Sequence, residues 1–173
     1  ENWKRPKEEV DALMDLLRDY LKDASNFRDE NIVCRFIGER SRLPEDLQQL
    51  MRDAEEGSKD ATGLTVNIAL NYGGRDEIVT AARKLLHDVN AGELSLEDVD
   101  EGALSSRLYT AGQPDPDLII RPSGEYRLSN FLIWQSAYAE YWFSDILWPD
   151  FKPKHLEQAI SDYSKRDRRF GGV

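Results

Sequence analysis

Two arginines six residues apart, Arg121 and Arg127, bracket Ser123, Gly124 and Glu125 in the run Arg121-Pro122-Ser123-Gly124-Glu125-Tyr126-Arg127-Leu128-Ser129-Asn130. A guanidinium stays charged at any working pH and offers a planar fork to phosphate oxygens. The spacing of Phe131, Leu132, Trp134, Gln135, Tyr138 and Ala139 predicts a helix capped by Ser129, and a helix N-terminus adds free backbone N–H groups and partial positive charge. Two forks and one helix end suit two linked phosphates better than one, so the turn reads as a diphosphate cradle. The plainer alternative pairs Arg121 and Arg127 with Glu125 and Asp117, a common fate of surface arginines. The residues alone leave both readings open.

Three further features carry chemistry. The turn Asn71-Tyr72-Gly73-Gly74-Arg75-Asp76 runs from a strand into a helix, and its paired glycines let the backbone approach either a ligand or a neighbouring element. It is not a Walker A loop, because no Gly-Lys-Ser/Thr follows. Glu140 enters the aromatic run Tyr141-Trp142-Phe143, where a free carboxylate is costly and needs a partner. An arginine of the turn would serve, and so would a magnesium ion bridging to phosphate. The basic run Lys165 to Arg169 is in its simplest reading a solvated helix end, although Arg169-Phe170-Gly171-Gly172 could lay an arginine across another subunit's site. His87 and His155 lie far apart and form no metal-ligand spacing.

The elements that must position these residues alternate between strand and helix. Pro6, with Glu8 and Glu9 in the first turn, opens a helix with the stripe Val10, Leu13, Met14, Leu17, Tyr20 and Leu21. Ile32 to Ile37 reads as a strand stopped by Gly38, and Leu43, Leu47, Leu50, Met51 and Ala54 mark a helix entered at Pro44. Leu64 to Leu70 is a second strand, followed by a helix whose buried face is Ile78, Val79, Ala82, Leu85, Leu86 and Val89. Ser95 starts a weaker helical stretch. Asp117 to Ile120 and Tyr141 to Phe143 are short strands, and Pro153 begins a last helix packed through Leu156, Ala159, Ile160 and Tyr163. This alternation with apolar strands predicts an α/β fold, a mostly parallel central sheet covered by helices on both faces, with ligands beyond the carboxyl ends of the strands.

At 173 residues the chain suits one domain, 1–173. With 40% hydrophobic and 32% charged residues it is globular rather than disordered. A net charge of −10 argues against a general nucleic-acid or anionic-membrane binder, so an anion site must be local. The lone Cys34 permits no internal disulfide, fits a reducing compartment and reads as a buried structural thiol. No apolar stretch approaches the roughly 20 residues of a membrane span.

Taken together, these motifs resemble the cis-prenyltransferases, the undecaprenyl diphosphate synthase family. The resemblance rests on Glu1-Asn2-Trp3-Lys4-Arg5-Pro6, Asn67 to Arg75, Asp117 to Glu125, Arg127 to Gln135, Trp148-Pro149-Asp150-Phe151 and Arg168 to Gly172, in the family's order. It implies a magnesium-dependent transferase that condenses isopentenyl diphosphate onto an allylic diphosphate such as farnesyl diphosphate, with cis geometry, in the making of a polyprenyl diphosphate. It also implies a cytoplasmic homodimer that touches the membrane peripherally as product leaves. Carried over by position, Arg121, Arg127, Ser129 and Glu125 belong to the isopentenyl diphosphate site, and Glu140 approaches Mg2+. Asn2, Trp3 and Arg5 lie on a mobile segment that positions the reacting ends, while Arg169 and Gly171 reach into the partner's site. Leu64, Val66 and Ile68 are candidates for the wall of a hydrocarbon tunnel, or equally for core.

Two departures stand out. Tyr126 occupies a place where some members have histidine, so no metal or proton role transfers to it. The family's first strand, ending in Asp-Gly-Asn-Gly-Arg and holding the allylic diphosphate and magnesium, is missing from these 173 residues. The expectation is an N-terminally incomplete domain whose natural form contains that segment. One competing reading is a noncatalytic partner subunit of a two-component cis-prenyltransferase, although such partners tend to lose the turn arginines retained here. Another is a phosphoanion-binding module or phosphatase, for which no nucleophile follows a strand.

Overall fold

In a computed structural model, residues 6–22 and 26–167 are described, and the chain divides into two compact units, 1–72 and 73–173. The first unit runs α1 (Lys7–Lys22), α2 (Asn26–Asp29), β1 (Val33–Ile37), α3 (Glu45–Ser58) and β2 (Thr65–Ala69). β1 and β2 pair in parallel, from Val33 opposite Thr65 to Ile37 opposite Ala69. Parallel pairing needs a crossover, and α3 supplies it. Its buried stripe, Leu47, Met51, Ala54 and Ser58, meets Cys34 and Phe36 of β1 and Leu21 of α1 in the core. Pro44 stands at the N-cap of α3, where a missing N–H costs nothing.

Burial pushes the Cys34 thiol up to about 11, with Glu55 adding to the shift, so this cysteine is the structural thiol its setting suggests. Arg40 grips Glu55 through its two terminal guanidinium nitrogens, at 2.8 and 2.7 Å, and also donates to Phe36 O. Ile68 packs against the core, whereas Leu64 is 65% exposed. Of the predicted α1 stripe, Leu13 and Tyr20 lie on the exposed side.

The second unit comprises α4 (Gly74–Asn90), a 3-10 turn (Leu96–Asp98), α5 (Glu101–Ser105), β3 (Leu118–Arg121), β4 (Glu140–Phe143), a second 3-10 turn (Trp148–Asp150) and α6 (Pro153–Ser164). Ser95 and Asp100 cap the 3-10 turn and α5 by accepting from Glu97 N and Ala103 N. β3 and β4 are parallel, from Leu118 opposite Glu140 to Arg121 opposite Phe143. Among the described residues the strands thus form two separate parallel pairs, one per unit. Ala159 anchors α6, and Trp142 Nε1 donates to Asp162 at 3.1 Å, holding that carboxyl below the usual range. Leu156 and Ile160, expected to pack, are exposed.

Two expectations in this unit are corrected, the first in part, and each for a physical reason. α4 buries Gly74, Glu77, Ala81 and Leu85, while Val79 and Leu86 face outward. Leu85 is buried as expected and Ile78, Ala82 and Val89 are half-buried, but the rest of the buried stripe is small residues and a carboxylate, which a search for large apolar side chains passes over. Residues 131–139 form successive turns rather than a helix. Ser129, Asn130 and Leu132 have φ of 51°, 64° and 45°, and a left-handed residue cannot continue a right-handed helix. The expected face holds in part: Gln135 is buried and Leu132, Trp134 and Ala139 are half-buried, whereas Phe131 and Tyr138 are exposed and Ser136 is inside.

Among the described residues no helix is long and apolar enough to cross a membrane. The sharpest local constraint on the first unit is Gly38, at φ 124°, whose added Cβ would lie 2.0 Å from Leu70 O. Gly38→Ala should cost about 2 kcal/mol or more, because it adds a backbone clash to a strained φ. Urea unfolding measures this, and an unchanged midpoint would contradict the geometry.

Candidate functional site

Arg121 ends β3, and the chain then turns through Ser123 and Gly124, both left-handed with φ of 76° and 66°. The turn is fastened to the segment after β4: Ser123 N donates to Ile146 O at 2.7 Å and Gly124 N to Ser144 O at 2.8 Å. Their N–H groups are thereby spent on the protein. Arg121 makes no ion pair with any carboxylate among the described residues, whereas Arg127 pairs with Glu125. The salt-bridge alternative therefore holds for one arginine and not the other.

Both arginines line a cleft of about 220 Å³ whose remaining wall is largely apolar, with Leu118, Ile120, Phe131, Leu132 and Phe143 contributing. Cationic forks beside hydrocarbon suit a ligand with a phosphate end and an apolar body. Tyr126 stands in solvent with its ring 5.2 Å from that of Phe143, a packing role at the edge of β4.

Ser129 does not cap a helix, since none begins there, so the helix-end contribution to anion binding is withdrawn. The residue that does cap is Asn130, and the helix is α4. Asn130 O accepts from Gly74 N at 2.7 Å, and Asn130 Oδ1 accepts from Arg75 N at 2.9 Å. The paired glycines serve this contact: a Cβ on Gly74 would lie 3.1 Å from Ile133 N and 3.2 Å from Asn130 O. Of the two uses of the Gly73-Gly74 turn, approach to a neighbouring element is the one observed. Spacing could not expose it, because the cap comes from the far side of β3.

Glu140 finds its partner in Arg166, at 2.7 Å, and not in an arginine of the turn. The same guanidinium nitrogen donates to Tyr141 O at 2.9 Å, tying the start of β4 to the chain beyond α6. Among the described residues no three His, Cys, Asp or Glu side chains gather as a metal site. His87 is exposed, and His155 Nδ1 accepts from Lys152 N at the start of α6.

A buried polar hub also escaped the sequence reading. Glu77, 1% exposed, accepts from Tyr109 N at 2.8 Å and from Gln135 Nε2 at 3.2 Å, and Gln135 donates to Thr110 Oγ1 at 3.0 Å. Its one available signal was a glutamate spaced four and eight residues before Ala81 and Leu85. Asn2, Trp3, Arg5, Arg169 and Gly171 lie outside the described residues.

The parallel ladders and the crossover helix define an α/β protein, in which two arginines stand on an otherwise largely apolar cleft. The sequence model described as "Putative undecaprenyl diphosphate synthase" matches residues 1–171. The isoprenyl transferase of Clostridium tetani is 54% identical over all of this chain and 68% of its own length, and that of Bacillus cereus is 51% identical over 67% of its length. Among solved structures, lavandulyl diphosphate synthase from Lavandula x intermedia, in complex with dimethylallyl diphosphate, superposes with TM-score 0.95 at 40% identity, covering 99% of this chain and 75% of that one. A Campylobacter jejuni protein titled "probable undecaprenyl diphosphate synthase" gives TM-score 0.86 at 38% identity, covering 99% and 78%. The chain belongs to the undecaprenyl diphosphate synthase family of prenyltransferases and has its α/β fold.

The unequal states of the two arginines give a measurable difference. Arg121→Ala should weaken binding of inorganic diphosphate about tenfold to a hundredfold, the worth of a charge-assisted contact. Arg127→Ala should cost less, because Arg127 must first leave Glu125. Calorimetric titration measures both, and equal affinity for wild type and Arg121→Ala would contradict the assignment.

Proposed function

We propose that the protein condenses isopentenyl diphosphate onto an allylic diphosphate such as farnesyl diphosphate, with cis geometry at each new double bond, lengthening a polyprenyl diphosphate. The observation that carries this is the lining of one cleft by Arg121 and Arg127 together with apolar side chains, in a chain of a prenyltransferase family. In this reading the guanidinium forks hold the diphosphate of isopentenyl diphosphate, and Leu118, Ile120, Phe131 and Leu132 receive its five-carbon end.

The chemistry explains why such holding matters. The allylic carbon–oxygen bond breaks, and diphosphate departs with the electron pair. The terminal alkene carbon of isopentenyl diphosphate forms the new carbon–carbon bond, which leaves positive charge on the internal, methyl-bearing carbon, and loss of a proton from the methylene next to that carbon, on the diphosphate side, restores a double bond. The two arginines do not touch the breaking bond. They convert a bimolecular encounter into one of fixed orientation, and the apolar wall keeps water from the electron-poor allylic carbon.

Magnesium enters the proposal as a companion of the diphosphate, since Mg2+ is commonly held by one or two carboxylates plus substrate phosphates. Glu140 would have to exchange Arg166 for it. A second copy of the chain, and peripheral contact with a membrane during product release, belong to the same proposal.

Incubation of the full-length protein with magnesium, radiolabelled isopentenyl diphosphate and farnesyl or geranyl diphosphate tests the reading. Polyprenyl products are expected, and no incorporation with any starter would overturn it in favour of a noncatalytic subunit. Arg127→Ala should raise KM for isopentenyl diphosphate about tenfold with a smaller change in kcat, since it removes ground-state binding. An unchanged KM would remove Arg127 from the site.

A further inference from the structure

We infer that the first turn of α4 is the seat of the loop that carries Arg127, and that Asn130 is the positioning residue that makes the attachment. The inference rests on the proposed use of Arg127 to hold a diphosphate, but its test does not depend on catalysis.

Residues 125–129 are suspended between two fastened points. At the near end Ser123 N and Gly124 N are spent on Ile146 O and Ser144 O. At the far end the peptide oxygen of Asn130 takes Gly74 N at 2.7 Å and its side-chain oxygen takes Arg75 N at 2.9 Å, filling two of the N–H groups that open α4. Between these points the chain has no helix or strand of its own and touches β4 through the Tyr126 ring on Phe143, so beyond that contact its course depends on its ends. Arg127 sits midway, while Arg121 is fixed on β3. The spacing of the two forks is therefore set by where Asn130 is held.

Two features show that the seat is shaped for this contact. A Cβ on Gly73 would come within 2.8 Å of Asn130 Nδ2, and one on Gly74 would meet Ile133 and Asn130 at 3.0 to 3.2 Å. Asn130 itself has φ 64°, a conformation asparagine accepts more readily than other residues with a side chain. Farther along, Gln135 makes a second attachment to the same helix through buried Glu77, so the segment is tied to the first turn of α4 twice. Without the Oδ1 contact, Arg127 would have to be ordered by the ligand, and that ordering would be subtracted from affinity.

Calorimetric titration of the full-length protein with inorganic diphosphate tests this. Asn130→Gly keeps the left-handed backbone and the peptide oxygen and removes only the side-chain cap; it should raise Kd about fivefold, in line with the loss of one hydrogen bond. Asn130→Asp restores an acceptor for Arg75 N and should recover most of that loss. In an Arg127→Ala background, Asn130→Gly should add nothing, because its effect runs through Arg127. A shift in thermal midpoint with unchanged Kd, or a loss of equal size in both backgrounds, would overturn the inference. If the wild type binds no diphosphate, the cradle falls and the inference with it. If it binds diphosphate but makes no polyprenyl product, only the proposed reaction falls and these comparisons still decide the role of Asn130.

Discussion

Two guanidinium forks can share one diphosphate only if the backbone between them does not drift, and in this chain that backbone has no regular structure to stiffen it. Its rigidity is borrowed. β3 pairs with β4 and fixes Arg121, the residues after β4 clasp Ser123 and Gly124, and the opening turn of α4 takes Asn130. The burial of Glu77 follows from the same need, because a carboxylate with 1% exposure is tolerable only where backbone and side-chain donors converge on it. Gly74 opens α4 without a side chain, because a Cβ there would meet Ile133 and Asn130 at 3.0 to 3.2 Å.

The electrostatics are correspondingly local. With a net charge of −10 the molecule as a whole repels anions, so binding must come from a few placed cations. Arg121 makes no ion pair among the described residues, while Arg127 is paired with Glu125, which in the proposed function must yield to the diphosphate. Glu140 and Trp142, alternate residues of β4, are turned to Arg166 and Asp162, and so fasten the strand to α6 and the residues after it. β4 thus serves both purposes, with Phe143 on the cleft and its charged and indole partners on the helix side.

Much of this was legible in the residues. β1, β2, β3 and β4 fall within a residue or two of where the apolar runs place them, because short apolar strands bounded by Gly and Pro have few alternatives. α3 and α6 begin at or beside their prolines. The family, too, was legible, since its motifs lie in order along the chain. What escaped is non-local. Helical spacing in residues 131–139 is real, but Ser129, Asn130 and Leu132 adopt left-handed φ, and Asn130 is held against the start of α4. The partner of Glu140 lies beyond a helix, at Arg166, and the cap of α4 comes from past β3. Contacts between residues distant in sequence leave no periodicity to read.

The most direct measurement is a crystal structure of the full-length protein with isopentenyl diphosphate bound. The account predicts the diphosphate between the guanidinium groups of Arg121 and Arg127, Arg127 released from Glu125, and the five-carbon end against Leu118, Ile120, Phe131 and Leu132. Diphosphate density away from both arginines, with Arg127 still paired to Glu125, would contradict it.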